Sequence, residues 1–254
     1  MRVGTEPEFE AAWSTVADVE GWLTEAQARR LWAAATPLEP PARIVEIGSY
    51  RGRSAIVLGL ASTDGVELVA IDPHAGNDRG PMEIHGSAED GQGDHEVFLA
   101  NLRRAGVDGR VRHVRAFSSD AHGDVQGDID VLYIDGAHRY RPALDDILTW
   151  GARVVPGGTM LIHDSFNSVG VTLAQLRSLV AGKDFAYVGR SGSMSEYRRV
   201  PEGLRGRPRL TSAGRQLAQL GYFAQSVAIK AALVAKLKPV ARALGHKGDA
   251  PWPY

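Results

Sequence analysis

Val131–Ser165 reads VLYIDGAHRYRPALDDILTWGARVVPGGTMLIHDS. The apolar run Val131–Ile134 ends at Asp135, and His138 follows shortly after. A helical segment leads to Pro156-Gly157-Gly158, and a second apolar run, Thr159–Ile162, ends at His163-Asp164. Short apolar runs bounded by turn residues read as buried strands. Two neighbouring strands that both stop at acids and imidazoles point to a site at one edge of a sheet.

Upstream, RIVEIG (43–48) reads as another buried strand. The turn Gly48-Ser49-Tyr50-Arg51-Gly52-Arg53-Ser54 follows, then a helix from Ser54 to Ala61, then the strand 66–71 ending at Asp72. Strand, glycine turn, helix, strand and acid make a nucleotide-binding βαβ unit. Residues 75–93 (AGNDRGPMEIHGSAEDGQG) are glycine-rich and polar and are expected to form a mobile lid. A helix over 94–105 and a short strand, Val111–Ala116, lead to Phe117-Ser118-Ser119-Asp120. After Ser165 the pattern predicts a helix over Val169–Val180. Strands Phe185–Gly189 and Met194–Arg199, joined by Arg190–Ser193, then form an antiparallel hairpin at a sheet edge.

The expected fold is therefore α/β, a Rossmann-like sheet of seven strands. Its core occupies 41–200. Residues 1–40 form an N-terminal helical cap, with a capping box at Thr24 and Gln27. Residues 201–254 are basic, with nine Lys and Arg against two acids. An amphipathic helix is predicted there from Ser212 to about Leu237, broken by Pro239. Such a helix docks on its own domain or on a symmetry mate, and a homodimer is expected; the alternative is a basic face on an anionic membrane.

Bulk composition excludes some classes. Of 254 residues, 44% are hydrophobic and 23% charged, ordinary for a globular protein. Cysteine is absent, which removes disulfides, thiolate metal sites and a cysteine nucleophile. The net charge of −1 gives no sign of nucleic-acid binding. The acidic start MRVGTEPEFEAAW lacks the apolar segment of a signal peptide. No apolar run approaches the ~18 residues of a membrane span. A cytoplasmic protein without a membrane span is expected.

Glu46, Gly48 and Gly52 carry the first chemistry. Glycines let a backbone approach a ligand and turn sharply into a helix N-terminus. A carboxylate two residues before Gly48 disfavours a pyrophosphate and suits a cationic ligand end, such as the amino group of a methionine moiety. Asp72, at the next strand end, is placed to accept hydrogen bonds from ribose hydroxyls. Ser118 and Asp120 lie where an adenine ring would be held, although Ser-Ser-Asp is also a common helix cap. Asp135 and Asp164 form a carboxylate pair suited to Mg²⁺. His163 would add nitrogen and favour Mn²⁺, or else is a core histidine bonded to backbone. His138, with an ordinary pKa near ~6.5, is placed to take a proton from a hydroxyl. Asp145 and Asp146 read as solvent-facing, or paired with Arg141.

At these residues the chain resembles the class I S-adenosylmethionine-dependent methyltransferases. The motifs are VEIGSYRGRS, AIDPH and YIDGAHRYRPALDDILTWGARVVPGGTMLIHDS, with GWLTEAQARRLW ahead of the first strand. The resemblance covers roughly residues 20–200. Its subgroup is the metal-dependent O-methyltransferases, nearest to the sugar O-methyltransferases of macrolide and methylmannose polysaccharide synthesis. It implies a last strand antiparallel to its neighbours. It implies cofactor contacts at Glu46, Gly48, Ser49, Gly52, Ser54, Asp72 and Ser118. Metal ligation would fall to Asp135, His163 and Asp164, with His138 as base. The chain departs from these relatives at His163, where they carry an acid. The acceptor implied is a small-molecule sugar, and a catechol presents a similar oxygen pair. A dinucleotide- or nucleotide-sugar-binding protein, or a non-catalytic partner protein, is the competing reading.

Overall fold

The computed structural model describes residues 4–76 and 87–246. Seven strands form one sheet: β1 (Arg43–Ile47), β2 (Glu67–Ile71), β3 (Val111–Val114), β4 (Ile129–Ile134), β5 (Val154–Ile162), β6 (Phe185–Ser191) and β7 (Met194–Arg199). Their order is β3-β2-β1-β4-β5-β7-β6. The first five run parallel, and β7 lies antiparallel to both β5 and β6. This agrees with the seven-stranded Rossmann-like fold and the edge hairpin expected from the sequence. The strand order reverses between β1 and β4, the position where open α/β sheets present a ligand crevice at their carboxyl ends.

Both faces of the sheet are covered, so its central strands are largely apolar, with buried Glu46 an exception in β1. Side chains alternate between faces along a strand. Ile44, Leu68, Val131 and Leu161 meet α1 (Glu6–Thr15), α2 (Glu25–Ala35), α3 (Arg53–Ala61) and α4 (Ala88–Arg104). Val45, Val69, Leu132 and Met160 meet α5 (Tyr140–Thr149) and α6 (Val169–Gln175) on the other face. The two N-terminal helices belong to this core: Phe9, Val16, Ala28 and Leu31 are buried among α3 and the sheet. The predicted Thr24–Gln27 capping box is present at the start of α2.

Two element boundaries differ from the sequence reading. Of the expected lid at 75–93, residues 77–86 lie outside the described residues, and 88–93 are already helical. Helix α4 starts six residues earlier than predicted because Ser87 and Asp90 form a reciprocal capping box. In the tail, the helix predicted over Ser212 to about Leu237 is two, α7 (Gly206–Leu217) and α8 (Leu220–Val234), separated at Ala218-Gln219, and a third, α9 (Lys238–Ala243), follows. Pro239 does not break α8; it sits in the first turn of α9, where its missing N–H costs nothing. The break between α8 and α9 is at Lys236. Lys236 N–H donates to Leu233 O at 2.9 Å and Leu237 N–H to Ala232 O at 2.8 Å, closing a Schellman motif. Lys236 holds the left-handed conformation, φ 59°, that this motif usually gives to glycine.

Helix α7 covers the outer edge of β6 through polar contacts. Tyr187 N–H donates to Ser212 Oγ at 3.0 Å, and the Arg215 guanidinium donates to the carbonyls of Tyr187 and Val188 at 3.2 and 2.7 Å. By length and mean composition alone Gly206–Val234 would suffice to cross a membrane, but it holds no continuous apolar run and divides into α7 and α8.

Candidate active site

The carboxyl ends of β2, β1, β4 and β5 are stitched together in a row. Gly48 N–H donates to Ile71 O, Asp135 N–H to Ile47 O and His163 N–H to Ile134 O, at 2.8–2.9 Å. The residues just past each strand are thereby held at one rim, as the sequence predicted.

Gly48 has φ 86°, and a Cβ there would lie 2.1 Å from the Asp135 carbonyl oxygen. Only glycine fits, because the positive φ and the close approach coincide. Gly48→Ala is expected to push the β1 turn and the Asp135 segment apart. The melting temperature should fall by several degrees; a parental value would refute the tight-approach argument. Gly52, φ 90°, caps α3 beside Phe98.

Glu46 is fully buried, and neither carboxylate oxygen has a hydrogen-bond partner among the described residues. Burial pushes its pKa up to about 8; nearby Ser54 and Ser49 temper the rise, and the charges of Asp135 and Asp72 add to it. An isolated buried carboxyl of this kind is costly unless a cation meets it. Ser49 Oγ is buried and likewise lacks a partner; Ser54 is buried beside it.

Asp72 braces the turn. Its Oδ2 accepts from Ser49 N–H and Tyr50 N–H at 2.9 and 2.8 Å, and its Oδ1 from His74 N–H at 2.8 Å. One acceptor position on Oδ1 remains for a ligand. Behind it, the rings of His74, His95 and His113 pack with centroids 5.0–5.1 Å apart. Burial lowers the His113 pKa to about 4, and the neighbouring imidazoles add to the effect. Ser118 donates its hydroxyl to Asp146 Oδ1 at 2.6 Å. Asp146 is buried, contrary to the solvent-facing reading, with its pKa raised to about 6 mainly by burial. Asp145 is exposed.

Asp135, His138, His163 and Asp164 converge. His138 Nε2 lies 2.8 Å from Asp164 Oδ2. His163 Nδ1 lies 3.2 Å from Asp135 Oδ1 and 3.1 Å from Asp164 Oδ2. Tyr133, two residues before Asp135 on the same face of β4, donates its hydroxyl to Asp135 Oδ2 at 2.7 Å. Burial disfavours a charge on either imidazole, but the facing carboxylates outweigh it, so both histidines are shifted upward. Asp164 is buried, yet the two imidazoles hold its pKa far below the carboxylate range. Ligand atoms of Asp135, His138 and Asp164 lie within 4.8 Å of one another. Two carboxylates and an imidazole at that spacing fit a divalent ion such as Mg²⁺ or Mn²⁺. His163 Nε2 is buried without a hydrogen-bond partner among the described residues.

Lys230, from α8, was not read as part of the site. Its Nζ donates to the Asn167 carbonyl at 2.8 Å, just beyond Asp164. Its only signal was a cation in an amphipathic tail. Asp146 had a clearer one: it falls on the Ala143, Ile147, Trp150 stripe of α5, which a helical period places inward.

The sequence profile of a family described as "Methyltransferase domain" matches residues 45–165. Solved structures share the fold at low identity. The cofactor-bound protein Rv0187 from MTB is 20% identical, with a TM-score of 0.53, over 78% of this chain and 91% of that one. The Streptomyces achromogenes O-methyltransferase TomG, involved in tomaymycin synthesis and solved with SAM, is 17% identical, with a TM-score of 0.51, over 79% and 92%. A Corynebacterium glutamicum protein is 14% identical, with a TM-score of 0.55, over 81% and 94%. Residues 45–165 thus resemble a methyltransferase domain, and the chain shares the seven-stranded fold of these solved structures.

Proposed function

We propose that the protein transfers the methyl group of S-adenosylmethionine to a hydroxyl of a small-molecule sugar, assisted by a divalent ion. The observation that carries this reading is the contact between Gly48 and Asp135. It brings the turn that would take a cationic, nucleoside-bearing ligand against the cluster that would deprotonate a hydroxyl. The cofactor supplies an electrophilic methyl on sulfonium, and a bound ion lowers the pKa of a neighbouring hydroxyl.

Each residue then has a task. Glu46 receives the amino group of the methionine moiety, with Ser49 and Ser54 beside it. The free position on Asp72 Oδ1 receives a ribose hydroxyl, while its other contacts hold the turn in shape. Ser118, tethered to Asp146, fixes the wall on the adenine side. Asp135 and Asp164 would hold the ion, and His163, whose Nδ1 faces both carboxylates, would hold them in place or add a ligand. His138, steadied by Asp164, takes the acceptor proton at its imidazole. Placing oxygen, methyl carbon and sulfur in line is the largest contribution such a site makes. A neutral imidazole base fits a weakly acidic sugar hydroxyl better than a catechol, which ionises readily without one.

A labelled-methyl transfer screen over mannosides, other glycosides and catechols tests the reading. Methylated glycosides are expected, and turnover of catechols alone would reassign the acceptor. Calorimetry should detect S-adenosylhomocysteine and not NAD; the reverse would make the protein a dinucleotide binder. EDTA is expected to abolish turnover and Mg²⁺ to restore it, whereas full activity in excess chelator would remove the ion from the scheme.

A further inference from the structure

The tail helices are amphipathic in an unusual sense: the polar side faces the protein. α7 turns Ser212 and Gln216 inward, and α8 buries Ser226 along with Ile229 and Ala232. Outward they show Leu210 (73% exposed), Val234 (82%), Leu237 (51%) and Val240 (47%). Of the most apolar part of Gly206–Val234, only 17% is buried. Every residue from Val234 to Val240 is exposed, and that run is the bend between α8 and α9. The bend is preformed. Ile229, Ala232 and Ala241, with Leu233 and Leu244, make a small core of their own beneath it.

Cations surround this apolar tip. Lys236 and Lys238 alternate with the apolar residues, and Arg242 follows one turn later. Across the described tail, 201–246, eight Lys and Arg stand against one acid, Glu202, while the rest of the chain is net acidic. Lys236 also breaks a local rule. It occupies the left-handed position of a Schellman motif, where glycine avoids a steric cost of roughly 1–2 kcal/mol. A side chain retained in a strained turn points to a task for that side chain.

We propose that the α8–α9 bend docks on an anionic lipid bilayer, with Val234, Leu237 and Val240 seated at headgroup level and the cations on lipid phosphates. Apolar residues interleaved with Lys and Arg on a preformed helical surface match that partner in both hydrophobicity and charge. A second copy of the chain is the other occupant an apolar tip invites. A two-fold contact would bring Lys236, Lys238 and Arg242 of both copies face to face, at an electrostatic cost an anionic surface does not impose. The tip is also close to the candidate site. Lys230 contacts the loop after Asp164, and Val234 lies about 6 Å further along the helix axis.

The test uses the full chain in co-sedimentation with vesicles of phosphatidylcholine alone, and with equal parts phosphatidylcholine and phosphatidylglycerol. The protein should pellet with the anionic vesicles only, and less as salt rises. Lys236→Glu with Lys238→Glu, and separately Val234→Asp with Leu237→Asp, should each weaken binding by at least about tenfold with an unchanged melting temperature. Lys236→Gly should weaken binding while raising the melting temperature, a combination a purely structural lysine would not give. Failure of the parent to pellet with anionic vesicles at low salt would overturn the proposal. So would equal binding to neutral vesicles, binding insensitive to the tip variants, or a solution dimer that Val234→Asp disperses.

Discussion

Replacing His138 with alanine is expected to lower kcat by about 10²–10⁴-fold, the usual range for loss of a positioned base. S-adenosylhomocysteine affinity should stay at the parental value. The separation follows from the geometry. His138 belongs to the β4–α5 connection, fixed by the Ser168 hydroxyl on its carbonyl at 3.2 Å and by the close approach of Gly170. None of these contacts involves the β1 turn. The pH profile gives a second readout. A base works in its neutral form, so kcat/KM in the parent should rise with pH through the His138 pKa. That pKa stands above the ordinary histidine value because Asp164 and Asp135 prevail over burial. The rising limb should vanish in the variant. Restoration of the alanine variant by excess Mg²⁺ would instead make His138 chiefly an ion ligand, a role its position beside Asp135 and Asp164 also allows.

Glu46→Gln should separate stability from function in the opposite direction. Cofactor affinity is expected to fall by about 100-fold, the scale of losing a charge-assisted contact in a buried site. The protein itself should become more stable at alkaline pH. Glu46 titrates near 8 when folded and near the ordinary carboxyl value when unfolded. The folded state therefore holds a proton that the unfolded state releases, and stability drains away as pH rises between those values. Glutamine has no proton to lose. The variant should match the parent below the ordinary carboxyl pKa and gain on it as pH rises, the gain levelling off above about pH 8. In thermal melts each kcal/mol of that gain appears as roughly 2–4 °C for a chain of this size. Equal melting temperatures at pH 9 would show that Glu46 is already ionised and paired in the free protein.

The parts of the site that were legible share one property: they sit where a buried strand ends. Apolar runs mark the strands, and the residues just beyond each mark the rim, so Gly48, Asp72, Asp135 and His163-Asp164 could all be placed by pattern, and Glu46 stands out as an acid inside the β1 run. What escaped depended on contacts between distant segments. Gly91 and Gly93 made the start of α4 resemble loop. Gly91 is nevertheless required inside that helix, because a Cβ there would lie 2.2 Å from the His74 carbonyl. The Ser87–Asp90 capping box was the countersignal. The Ser118–Asp146 bond joins residues 28 apart in sequence, and the Lys230–Asn167 bond residues 63 apart. No local period encodes either. The tail differs from the single predicted helix because its apolar spacing, Leu217 then Leu220, continues across the Ala218-Gln219 break between α7 and α8.

The polar docking of α7 along β6 gives the tail an obligation separate from anything it touches outside. A bare outer strand offers its amides and carbonyls to any extended chain, and proteins protect themselves by covering it. Ser212 and Arg215 are that cover here. A chain ending at Leu204 would therefore carry an open template for strand addition, and would be expected to form edge-to-edge aggregates, besides losing the Lys230 contact to Asn167. The C-terminal arm thus blocks strand addition at this edge, whatever its outward apolar face meets.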